Sequence, residues 1–373
     1  MLLLLLAAIL GLSGCSAAQA KLLGMLNGQL FIGYDTLALP GEAVDVKVRL
    51  QGGSMLRDKP GYVVRFYDGG QLFKAAETDD DGNACVSFTS QQSGDVLLSA
   101  GFSPNGFLDE PPPPTNVLVA CRPADAPMIV VDLDQTLVAS GIVDVLLDKA
   151  RPVPDAQRVV QRLAGQYTII YLTGRPDLFT IRTRQWLAEN GFPRAVLLMA
   201  SMSDMLSGQF KPRVLGGLHE RFTNLRFGIG DKASDMRAYA ASGMTGVMLL
   251  NVADDASPDD LWKQMRELQA LPPNTQVVQS WRQIEQVIFE NQQFPADQAQ
   301  RQLMDLAGQR EQEQQLKSMP PQAHSQAGGQ ASSRSASSPA GHNAGTPPRT
   351  FRHGRHGLGQ GLPASSQPAS QPQ

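Results

Sequence analysis

The amino-acid sequence predicts an α/β fold, a doubly wound parallel sheet, preceded by a β-sandwich domain. Three observations carry that expectation. Between residues 28 and 121, short runs of alternating apolar and polar residues are separated by Pro-Gly, Gly-Gly and Asp-Gly turns. From Met128 onward, continuous apolar runs alternate with helix-period segments, as in parallel strands joined by crossover helices. The 373 residues exceed what one core usually holds, so two folded units are expected, 25–122 and 123–292. A net charge of −3 gives no electrostatic case for nucleic acid.

Residues 1–14 read as a signal segment, because their apolar run falls short of the roughly 20 residues a spanning helix needs. Leu12-Ser13-Gly14-Cys15 resembles the lipobox of bacterial lipoproteins. The resemblance implies cleavage before Cys15, acylation of that cysteine and a lipid-anchored protein on the periplasmic face of the bacterial cell envelope. Ser16 stands where an aspartate would imply retention at the inner membrane, so the outer membrane is expected. Residues 15–24 are then a linker from the anchor.

Seven strands are predicted in the first domain, at 29–34, 43–50, 62–67, 70–75, 84–89, 96–100 and 116–121. That number over about 95 residues fits an Ig-like sandwich. Asp79, Asp80 and Asp81 read as a solvated hairpin turn. Cys85 and Cys121 both fall in predicted strands, and the choice between a disulfide and two buried thiols stays open.

In the second domain, strands are expected at 128–131, 167–172, 195–199, 225–229 and 246–250. Helices are expected at 155–164, 177–190, 214–222, 234–242, 261–271 and 281–291. Sheets of this kind bind ligands beyond the carboxyl ends of their strands, and the chemistry-bearing residues fall there. Asp132-Leu133-Asp134-Gln135-Thr136 follows the first strand. Asp132 suits a nucleophile toward phosphorus and Asp134 a general acid and base, with Thr136 bracing the turn. Thr173-Gly174-Arg175 follows the second strand and offers a hydroxyl and backbone N–H groups to a phosphate oxygen. Lys211 can neutralise phosphate charge. Asp231 and Asp235, four apart at a helix start, share one face and suit Mg2+. The expected metal group is Asp132, Asp134, Asp231 and Asp235.

This order of aspartate pair, threonine, lysine and aspartate pair resembles the four motifs of the haloacid-dehalogenase superfamily. The stretches 171–177, 186–193 and 230–239 are similar to the lipin-type domain of phosphatidate phosphatases and phosphatidylinositol-transfer proteins. The resemblance implies a magnesium-dependent phosphomonoester hydrolase acting on phosphatidate or a related membrane lipid. Some members of that family bind phosphatidate without turnover, and a phosphatase of nucleotides or phosphoprotein is a further alternative. Gln135 and Asp231 depart from the family, which usually has Gly and Asn there. The intervals from Thr136 to Thr173 and from Thr173 to Lys211 leave no room for a cap domain, so an open site is expected.

Residues 293–373 turn to Gln, Ala, Ser, Pro and Gly and are expected to be disordered.

Overall fold

The computed structural model describes residues 16–103, 111–141, 144–145 and 148–318. Cys15, the signal segment and residues 319–373 of the expected tail lie outside them. No helix among the described residues is long and apolar enough to cross a membrane.

The chain begins with α1 (Ser16–Leu26), then nine strands: β1 (Gln29–Tyr34), β2 (Thr36–Ala38), β3 (Ala43–Gly52), β4 (Arg57–Asp58), β5 (Val63–Asp68), β6 (Gln71–Glu77), β7 (Asn83–Thr89), β8 (Gly94–Phe102) and β9 (Thr115–Cys121). One sheet joins β1, β3, β4 and β7, and the other has the order β2-β9-β8-β5-β6. Alternation builds them. In β3, Val44, Val46, Val48 and Leu50 are buried, and Asp45, Lys47 and Arg49 between them are not. They meet Phe66, Leu98, Val117 and Val119 from the facing sheet. β2 and β4 escape the sequence pattern because two or three residues are too few to display a period of two.

In this half one open choice is settled and one expectation is corrected. Cys85 and Cys121 are both free. Ala84 and Val86 face the core, so Cys85 between them points outward, and Cys121 is buried in the other sheet. Residues 16–24 are not a bare linker. They lie in α1, whose Leu22 and Leu26 are buried in one apolar cluster with Leu30 and Ile32 of β1 and with residues of the second domain.

The second domain runs β10 (Met128–Val131), α2 (Ala156–Ala164), β11 (Thr168–Pro176), a 3-10 turn (Asp177–Phe179), α3 (Thr180–Glu189), β12 (Val196–Ala200), α4 (Met202–Ser207), α5 (Phe210–Arg221), β13 (Leu225–Gly230), α6 (Ala233–Ala241), β14 (Thr245–Leu249), α7 (Pro258–Gln269), β15 (Gln276–Val278), α8 (Trp281–Glu290) and α9 (Ala296–Ser318). The strand order is β12-β11-β10-β13-β14-β15, and every pairing is parallel. All four residues of β10 are buried, as a central strand covered on both faces requires. The order reverses at β10, so the crevice between the carboxyl ends of β10 and β13 is the expected ligand position. No inserted cap domain interrupts the described residues.

α9 corrects the expectation of disorder for residues 296–318. Ala299, Leu303 and Ala307 form a buried stripe at a spacing of four that joins the apolar cluster containing Leu261 and Leu268 of α7. Two of the three are alanines, and the rest of the helix is mostly charged or glutamine, so the sequence reads as polar throughout.

The two domains are joined by buried charge. Asp35, between β1 and β2, accepts hydrogen bonds from the backbone N–H of Leu118 in β9 (2.8 Å) and of Leu197 in β12 (3.0 Å). Arg184 of α3 donates to Asp35 at 2.7 Å and to the Gly33 carbonyl at 2.8 Å. Burial pushes the Asp35 carboxyl up, against the pull of Arg184 and the two amides. Tyr34 adds a second tie, donating to Asp177 at 2.8 Å directly after β11.

Candidate active site

The Asp132 N–H donates to the Ile229 carbonyl of β13 at 2.9 Å, which sets Asp132 and Asp231 just past the ends of adjacent strands. α5 begins at Phe210, four residues before the expected start, and this places Lys211 in its first turn. Its ammonium donates to Asp132 and to Asp235, each at 2.8 Å. Asp235 sits in the first turn of α6 and is buried. Gly230 permits that approach, since a Cβ there would lie 2.9 Å from an Asp235 carboxylate oxygen.

Carboxylate oxygens of Asp132, Asp231 and Asp235 lie within 4.8 Å of one another. Three carboxylates face one ammonium, an excess of negative charge in a buried place. Burial, with the charge of Asp235 and Asp134, pushes Asp132 up to about 6 despite Lys211. Burial and the neighbouring Asp132 push Asp231 up to about 7. Burial opposes the charge on Lys211, but Asp132 and Asp235 outweigh it and hold the ammonium protonated. One buried oxygen of Asp231 has no hydrogen-bond partner among the described residues. An unpartnered acceptor in a cluster of hard oxygen donors fits a magnesium ion.

Asp134 is elsewhere. Arg175 grips its carboxylate with two hydrogen bonds of 2.8 and 2.7 Å, and the arginine side chain is almost fully buried. The expectation that the Asp134 side chain joins the metal group is corrected, because the guanidinium fork occupies both of its oxygens. Arg175 lies within the Thr-Gly-Arg segment, but nothing in the sequence indicates its partner 41 positions away. Thr173 is buried in β11 just before the register shift near its end, and its hydroxyl accepts from the Arg175 N–H at 3.2 Å. Gly174 beside it is exposed. The two lie one strand over from Asp132, since Val131 pairs with Tyr171. Thr136 is fully buried in the turn after Asp134, and its carbonyl accepts from the Trp281 indole at 2.8 Å.

Gln135 has φ +58°, a left-handed conformation that suits glycine. Asn251 donates to its carbonyl at 2.9 Å and steadies the turn.

The fold and this cluster define a Rossmann-like α/β domain with an acidic, lysine-bridged centre at its strand ends. Residues 129–252, about a third of the chain, match the family model described as PITM 1-3, LNS2 domain, a phosphatase-related domain of the lipin and haloacid-dehalogenase type. No curated protein matches the chain. Similar solved structures include the D00-D0 domain of intimin, at 18% identity, 25% of this chain, 46% of that chain and a TM-score of 0.19. A CARDB domain from Pyrococcus furiosus is 18% identical over 25% of this chain and 93% of that chain, with a TM-score of 0.19. Fibronectin(III)-like modules of CbhA from Clostridium thermocellum are 21% identical over 24% and 94%, with a TM-score of 0.17. The chain thus spans less than half of the intimin fragment.

Proposed function

We propose that the second domain is a magnesium-dependent phosphomonoesterase working through an aspartyl-phosphate, with phosphatidate or a related lipid phosphate as substrate. The observation that carries this reading is the Lys211 ammonium held between Asp132 and Asp235, beside the unpartnered oxygen of Asp231. Magnesium, held by Asp132, Asp231 and Asp235, would offset the repulsion between the nucleophile and the phosphate.

Asp132 attacks phosphorus in line with the leaving oxygen. The P–O ester bond breaks as the acyl-phosphate bond forms, and Asp134 gives its proton to the departing alkoxide. A water then attacks the phosphorus of the acyl-phosphate, and Asp134 takes the water proton. Asp132 is regenerated and inorganic phosphate leaves. Lys211 balances the charge on the equatorial oxygens, and Thr173 and the Gly174 N–H hold one of them. Asp134 must release at least one arm of Arg175 to reach the leaving oxygen.

That clamp favours a second reading, a domain that binds phosphatidate without turnover. Release of inorganic phosphate from phosphatidate vesicles, with and without magnesium, decides between them. Magnesium-dependent release supports the enzyme, and none from phosphatidate or from p-nitrophenyl phosphate leaves the binding module. Bulky lipid substrates are consistent with a site lacking a cap. The proposal includes a bacterial outer-membrane location through acylated Cys15, and Cys15→Ser is expected to release the protein from membranes.

A further inference from the structure

A groove of about 680 Å3 opens beside the acidic cluster. Asp231 belongs to both, and Gln135 lines the groove beside it, so whatever leaves the phosphoryl centre on that side enters the groove. Its floor includes Met248, Leu250 and Leu268, all buried. Its walls carry Lys232 and Arg237 from the α6 end and Lys263 and Arg266 from α7. All four are exposed. Among the described residues none of the four is in an ion pair, whereas arginines such as Arg158, Arg162 and Arg221 are paired. Two acids, Asp231 and Glu267, line the groove beside these four cations, Asp260 lies near Lys263, and Asp231 belongs to the metal cluster. The wall is therefore cationic well beyond the reacting centre.

Gln135 is the second observation. It holds a left-handed backbone that costs any residue but glycine, and it places a hydrogen-bonding amide at the junction of groove and site. Unpaired cations and an amide in a concave site point to an anionic ligand, and arginine and lysine together suit phosphoryl oxygens.

We propose that this groove receives a second phosphoryl group carried by the leaving group of the substrate, so that the preferred substrates are phosphomonoesters with another phosphate a few bonds away. This rests on the phosphomonoesterase reading and narrows it. The second group is either the phosphodiester of a lipid headgroup or the other phosphate of a soluble bisphosphate. Binding energy gained on this remote group raises the rate at the reacting one.

The test uses the full chain with magnesium and two matched substrate pairs. The lipid pair is phosphatidate against phosphatidylglycerol phosphate, in otherwise identical vesicles. The soluble pair is 1,3-propanediol monophosphate against its bisphosphate. The expected result is a kcat/KM at least tenfold higher for the doubly phosphorylated member of one pair or both. That ratio should fall to near one in the double variant Lys263→Gln/Arg266→Gln, checked for folding by circular dichroism. Preference in the lipid pair alone identifies the headgroup source, and in the soluble pair alone the free bisphosphate. Equal kcat/KM within both pairs, or a preference that survives the double variant, overturns the inference. If no substrate is turned over, p-nitrophenyl phosphate included, the phosphomonoesterase reading fails by itself. Calorimetric binding of the propanediol bisphosphate against the monophosphate then decides the groove: equal affinities overturn it, and tighter bisphosphate binding lost in the double variant upholds it.

Discussion

Arg175 holds Asp134 through both of its carboxylate oxygens, at 2.8 and 2.7 Å, from a position at the end of the neighbouring strand. The side chain proposed as general acid and base is thus oriented by a buried arginine. Arg175→Lys keeps the charge but cannot form a two-pronged contact. The expected outcome is a kcat lower by about 10- to 100-fold with KM little changed, since proton transfer by a positioned acid is worth about 100-fold or more. Steady-state kinetics on p-nitrophenyl phosphate reads the split, and an unchanged kcat rejects the positioning role.

Asp132→Asn should abolish turnover and leave the far-ultraviolet spectrum intact. The amide cannot form the acyl-phosphate, while Lys211 keeps its second partner, Asp235, at 2.8 Å. Turnover within tenfold of the parent protein would remove Asp132 as nucleophile.

The acidic cluster makes stability depend on pH with a definite sign. Asp132 is raised to about 6 and Asp231 to about 7, above their unfolded values near 3.8. The folded state therefore binds more protons than the unfolded one between about pH 4 and 7, so stability contributed below that window is lost as pH rises through it. Without magnesium, Tm should fall from pH 5 to 7.5. Magnesium should raise Tm by an increment that grows over the same range, because it replaces the lost protons. Asp231→Asn should flatten both trends, and a magnesium increment independent of pH would contradict the assignment.

Asp35→Ala removes one acceptor from two backbone N–H groups and from Arg184. Leaving these buried donors unpaired should cost about 3 kcal/mol or more in a denaturant titration. The milder Tyr34→Phe deletes the tie to Asp177, next to the segment that carries Thr173. It should cost about 1 kcal/mol and raise KM for phosphate esters a few-fold.

At Gln135, Val should destabilise the fold by about 1–3 kcal/mol, because a β-branched residue tolerates the left-handed backbone poorly. Gln135→Gly should be neutral or stabilising. Thermal denaturation of the two variants side by side checks the order.

Much of the order of strands and helices was legible because burial leaves a period, although α1, α4, β2, β4 and β15 were not expected. Met128 to Val131 is apolar on both faces, and β3 alternates along its length. The aspartates stood out because they fall just past a strand or at the start of a helix at a strand end, and Lys211 because it comes between the threonine and the second aspartate pair. Three further features were not legible. The contact stripe of α9 is narrow and rich in alanine, so little hydrophobic contrast marks it. The Arg175–Asp134 pair joins residues 41 apart with no local signature. Asp35 reaches partners 83 and 162 positions away, and a lone aspartate after a strand reads as a turn residue.

That aspartate has an evolutionary consequence. A carboxylate that answers to amides of two different folds ties their histories together. Grafting a foreign sandwich onto this hydrolase-like half would strand Arg184 and the Leu197 amide, unless the newcomer brought an acid to the same spot. Recombination at the seam between the halves should therefore fail more often than exchange within either one.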